Sequence, residues 1–202
     1  MAFAQRAPIS KDPVAIDRHA ADNLRFIRDT MERAASFTAV PGWGGVMIGA
    51  TALGAGAVAM GDSARQQFFI WLGEALLALL IAGFTLKAKS RRLALSLQSR
   101  PARRALLSFV PPLFAGAVLS AVLYRLDALS AVPGLWLLMY GTAVVTGGAF
   151  SVRIVPVMGL CFMFLGGLAL LAPAQWGNWF LVMGFGVVHV AFGVVIARRY
   201  GG

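Results

Sequence analysis

The chain has 202 residues, of which 59% are hydrophobic and 13% charged, against roughly 45–50% and 25% in soluble domains. Its main solvent is therefore lipid, and a soluble fold is excluded. Lys and Arg outnumber Asp and Glu by 18 to 8, a net charge of +10 that in a soluble chain would suggest nucleic acid; the placement of those charges argues otherwise, and no nucleic-acid partner is expected.

Residues 1–39 read as a cytoplasmic arm. Asp12 before Pro13 is a helix start, since the carboxylate can accept from first-turn N–H groups while Pro lacks one and has φ preset. Ala20, Leu24, Ile27, Met31 and Ala34 then share one face, with oppositely charged residues beside them at helical spacing. The arm carries six basic and five acidic residues, so it is an amphipathic helix along the interface or a docking helix for another protein at residues 13–37, not a polybasic tether. No signal peptide is expected, because the first apolar run begins only near Pro41 and would itself direct insertion.

Residues 40–202 then hold six apolar runs, Pro41–Met60, Phe68–Leu86, Ala105–Tyr124, Val132–Phe150, Ile154–Ala172 and Trp179–Ala197. Each is long enough at about 1.5 Å per residue to cross a core of about 30 Å. Backbone polar groups in lipid must be satisfied within the segment, so the runs are helices. The fold class is all-α, a polytopic membrane bundle of six transmembrane helices. Pro111, Pro112 and Pro156 are expected to kink helices rather than end them. The lone Cys161 permits no intrachain disulfide and reads as packing. Trp43, Trp71, Trp136, Trp176 and Trp179 fall near span ends, where indoles prefer the interface.

Orientation follows from the bases. Six lie in the arm, seven between the second and third runs (Lys87, Lys89, Arg91, Arg92, Arg100, Arg103, Arg104), and Arg153, Arg198 and Arg199 belong to the same side. Only Arg65 and Arg125 lie opposite. Both termini are thus expected in the cytoplasm, with the basic loop against anionic lipid head groups at about 1 kcal/mol per base.

The first span has a counterpart in the fourth: counted 92 residues on, Val40, Pro41, Gly42, Met47, Gly49, Gly56 and Ala57 meet identical residues at Val132, Pro133, Gly134, Met139, Gly141, Gly148 and Ala149. A weaker continuation aligns Leu72, Gly73 and Leu77 with Leu165, Gly166 and Leu170. Copies of three helices cross in opposite directions, so this reads as a 3+3 inverted repeat over 40–126 and 132–202, an architecture that places transporter sites at mid-membrane. The competing reading is chance matching among glycines that let membrane helices approach.

Soluble enzyme motifs, metal-ligand clusters and cofactor motifs are absent from the sequence, and no enzyme activity, metal or cofactor is expected. Glu74 and His189 are the ionisable groups deep in spans, at similar depth, and an intramembrane carboxylate costs about 2.5–3.5 kcal/mol on insertion scales. They form the candidate proton or substrate site, with His189 as Glu74's expected partner. Tyr140, Thr142 and Thr146 are weaker path-lining candidates, since such hydroxyls often bond back to their own helix.

From the arm through Pro41–Gly45 (PGWGG) to the closing ARRYGG, the chain resembles a group of small six-span bacterial membrane proteins. That resemblance implies a multi-pass protein of the bacterial inner membrane and carries over no activity and no site residue. Two functions remain in view: a small-solute permease, proton-linked through Glu74, and a non-catalytic membrane partner or sensor that binds through its arm and basic loop.

Overall fold

The computed structural model describes residues 20–24, 26–27, 40–92 and 99–200. The chain divides into two units, Met1–Ala35 and Ser36–Gly202. In the first, residues 20–24 and 26–27 are helical, and Leu24 and Ile27 of the expected apolar stripe are exposed; the remainder of the arm, His19 included, lies outside the described residues.

Among its described residues the second unit has six principal helices: α1 (Gly42–Val58), α2 (Ala64–Arg92), α3 (Arg100–Arg125), α4 (Val132–Gly148), α5 (Ile154–Leu171) and α6, which runs through Gly177–Leu181, a π-helical stretch Val182–Val188, and His189–Tyr200. Single 3-10 turns, Leu129–Ala131 and Ala174–Trp176, precede α4 and α6. Among the described residues, five helices are long and apolar enough to cross a membrane, and α1 is a shorter apolar helix of 17 residues. The chain is a multi-pass integral membrane protein.

Helix limits depart from the apolar runs where local chemistry decides them. Ser63 and Gln66 form a capping box, each side chain accepting from the other's backbone N–H, so α2 starts before its apolar run. Charged residues continue α2 to Arg92, and Ser99 caps α3 by accepting from the Ala102 N–H. Much of the expected basic loop is therefore helix that extends each apolar span. Pro111 and Pro112 lie inside continuous α3. That helix ends in a Schellman motif, with Ala128 N–H on Leu123 O and Asp127 N–H on Tyr124 O; Asp127 supplies the left-handed residue, φ 55°, which Asp tolerates better than most.

Helix α1 packs on α2 and α6, and α4 packs on α3 and α5. The two groups meet where α6 crosses α4 and α5, and the core there is Leu137, Val144, Val155, Met158, Phe162, Leu181 and Ile196.

The tightest interfaces are α1 with α6 and α4 with α5, both antiparallel and both built on glycines seven residues apart. A methyl on Gly49 would sit 2.7 Å from Gly186 O and 2.8 Å from Val190 N; on Gly141 it would sit 2.7 Å from Gly159 O and 2.7 Å from Met163 N. A methyl on Gly193 would meet Gly42 O at 2.9 Å and Val46 N at 2.7 Å; on Gly166 it would meet Gly134 O at 3.0 Å and Leu138 N at 2.7 Å. Gly56 faces Val182 as Gly148 faces Val155, Gly42 faces Ala197 as Gly134 faces Leu170, and Gly186 faces Leu53 as Gly159 faces Val145. Adding 92 to an α1 number and subtracting 27 from an α6 number converts every one of these contacts into its counterpart. Gly73, aligned in sequence with Gly166, faces open space, so in packing α5 corresponds to α6 rather than to α2.

Candidate functional site

The charged and polar groups of the spans are held at separate places. Glu74, 8% exposed, lies on the stripe of α2 that faces α1 and accepts a hydrogen bond from Thr51 Oγ1 at 2.8 Å. Thr51 also contacts the carbonyls of Met47 and Ile48 one turn back. The expected His189 partnership is replaced by this one, because the glycine face of α1 turns to α6 and leaves the Thr51 face for α2. Thr51 carried no signal in the sequence beyond being a hydroxyl in an apolar run.

His189, 3% exposed, follows the π-helical stretch and meets Tyr140 of α4, Nε2 to hydroxyl at 2.8 Å. Either partner can donate, so the pair holds a proton in two arrangements. Phe162 and Phe185 enclose both rings at centroid distances of 4.8–5.9 Å, and Phe109 lies edge-on to Tyr140. Nδ1 of His189 is buried, and the backbone of Gly184 and Phe185 in the preceding π turn lies against the imidazole. Such π-helical turns are frequent at functional sites. Phe162 and His189 are also related by the subtraction of 27 that relates α6 to α5. The two rings thus occupy corresponding positions and touch, with the polar one on α6.

The remaining candidates serve the backbone. Thr142 Oγ1 bonds back to Leu138 O at 2.8 Å. Thr146 Oγ1 lies 2.8 Å from Ser108 O of α3, the carbonyl left without its intrahelical donor because the residue four on is Pro112. Thr146 is thereby fixed to the proline site of its neighbour.

Of the seven bases expected on head groups, Lys87, Arg91, Arg92, Arg100, Arg103 and Arg104 are exposed. Lys89 is buried, with Nζ donating to Val40 O at 2.9 Å and Tyr200 O at 3.3 Å. It ties the ends of α1, α2 and α6 and places a cation at a helix C-terminus, where the dipole favours it. At the far end, Trp71 Nε1 donates to Asn178 Oδ1 at 2.9 Å and Asn178 Nδ2 to Gly56 O at 3.0 Å, which satisfies a carbonyl at the end of α1. Trp71 is thus a structural tie, whereas Trp43, Trp176 and Trp179 are more than half exposed, as interface anchors should be.

Comparison of the chain with protein-family models, curated proteins and solved structures finds no match.

Proposed function

We propose that the protein is a small-solute membrane carrier made of two inverted halves, α1–α2–α6 and α3–α4–α5, with the Tyr140–His189 pair as its polar centre. The observation that carries this reading is the duplicated glycine interface: α1 and α4 cross in opposite directions, as do α6 and α5, so the copies relate through a pseudo-two-fold axis in the membrane plane. Inverted halves commonly place binding sites at mid-membrane on their common interface, where broken or distorted helices supply unpaired polar groups. His189 and the π turn occupy that interface. The halves differ from a sequential 3+3 repeat in that α2 and α3 are the corresponding outer helices, each packed on its own glycine-bearing partner.

In this reading all six helices cross the bilayer and both ends of the chain are cytoplasmic, which puts the ten bases of residues 87–104, 153 and 198–199 inside. Proton linkage would use the two proton-holding pairs, Tyr140–His189 between the halves and Thr51–Glu74 inside one of them. The alternative, a non-catalytic partner or sensor, draws on the arm and the exposed bases.

The test is flux into proteoliposomes carrying an entrapped pH-sensitive dye, with a panel of small solutes supplied outside. Wild type is expected to acidify the lumen with at least one solute. The double variant Tyr140→Phe/His189→Phe should fold, since Phe already occupies the corresponding position on α5, and should carry nothing; Glu74→Gln keeps an acceptor for Thr51 and should lose the pH dependence of flux. Absence of any wild-type flux, or flux unaltered in the double variant, would sink the carrier reading and leave the partner reading.

A further inference from the structure

The outer helices α2 and α3 touch at the end away from Lys87 and Arg103, where Tyr124 meets Phe68 and Phe69 at ring-centroid distances of 5.4 and 6.0 Å and the Arg65 guanidinium lies 5.3 Å from the Tyr124 ring centre. Among the described residues they do not pack on each other along the rest of their lengths: α2 lies on α1, and α3 on α4. A wedge is left between them, closed by aromatics at one end.

Helical spacing identifies its walls. On the face of α2 that bears Phe69, residues 7, 11 and 18 further on are Leu76, Leu80 and Lys87. On the face of α3 that bears Tyr124, going back 7, 14, 18 and 21 residues gives Ala117, Val110, Leu106 and Arg103. All of these residues are exposed. Each row is apolar until its last member, which is a base. From Leu76 to Lys87 the rise is about 16 Å at 1.5 Å per residue, close to half of a core about 30 Å thick, the depth of one leaflet. No acidic residue occurs among the described residues of α2 past Glu74 or in α3, and Glu74 is turned to Thr51.

We infer that this wedge holds one anionic phospholipid, its acyl chains between the apolar rows and its phosphate between Lys87 and Arg103. Charge complementarity selects the occupant, since a cationic mouth over an apolar slot of leaflet depth matches a phosphate on two acyl chains. The site does not depend on the carrier reading.

Native mass spectrometry of the full chain, purified in mild detergent and equilibrated with phosphatidylglycerol or phosphatidylcholine, tests it. One phosphatidylglycerol should be retained in preference to phosphatidylcholine. Lys87→Gln/Arg103→Gln should weaken that retention about tenfold or more, whereas Arg198→Gln/Arg199→Gln, which removes the same charge from exposed positions of the same end, should leave it intact. Leu80→Trp, facing lipid and harmless to packing, should also expel the molecule by filling the slot. Equal loss in both double variants would reduce the effect to diffuse surface charge, and retention by Lys87→Gln/Arg103→Gln, or equal retention of phosphatidylcholine, would overturn the site.

Discussion

Thr146 shows how far a single hydroxyl can be misjudged from its own helix alone. Within α4 it is a threonine that bonds back to Thr142 O at 2.9 Å, and only the placement of α3 gives it Ser108 O as well. Pro112 removes the donor that would serve that carbonyl, and in lipid no water replaces it. Thr146→Val should therefore destabilise the protein by about 1–2 kcal/mol, the cost of an acceptor left unsatisfied away from water. Adding Pro112→Ala, which returns an N–H to α3, should recover much of that loss. Thermal unfolding of the four proteins in detergent gives the coupling directly; additive effects would show that the two sites are independent. His189 and Lys89 carry the same lesson in opposite directions. The depth of His189 was legible from its run, but its partner was not, because Tyr140 lies 49 residues away on a helix whose rotation is set by glycine packing. Lys89 looked like every other base in its segment until the ends of α1 and α6 enclosed it.

At the level of elements, the duplicated glycine interface predicts paired consequences. Gly49→Val and Gly141→Val each drive a side chain into a facing backbone, where methyl contacts of 2.7 Å already violate packing, so both should prevent folding or lower the melting temperature sharply and to a similar degree. Gly73→Val, at the position that only the sequence alignment equated with Gly166, should be neutral because nothing lies within 4 Å of an added methyl. Fluorescence-detected gel filtration after heating reads all three; a damaged Gly73→Val or a well-folded Gly141→Val would break the correspondence. The heptad of glycines in α1 and α4 could be read in the chain, since identical residues recur at the same offset. That of α5 and α6 is shorter, Gly159–Gly166 and Gly186–Gly193 with Val155 and Val182, and joins neighbouring spans instead of the two halves of the chain.

For the whole molecule, the charge distribution predicts a threading that reporter fusions can check. A fusion after Tyr200 should report from the cytoplasm and one within residues 126–131 from the other side. The opposite result at either point would overturn the orientation drawn from the bases. The fold adds its own constraint, because Lys89 joins the carbonyls of Val40 and Tyr200 and so keeps the start of α1, the last turn of α2 and the end of α6 at one end of the bundle.

The amino-acid sequence by itself determined the solvent, the helical class and the approximate positions of the apolar helices, because hydrophobic length and the need to satisfy backbone groups in lipid act locally on each segment. It also exposed the glycine spacing of α1 and α4, since close backbone approach demands glycine at fixed spacing whatever the partner. Only the tertiary structure decided which helix each glycine face meets, and with it that Glu74 belongs to Thr51 and His189 to Tyr140. Side-chain partners depend on helix rotation and neighbour order, and in lipid, where apolar faces have no preferred side, those are fixed by packing between distant segments.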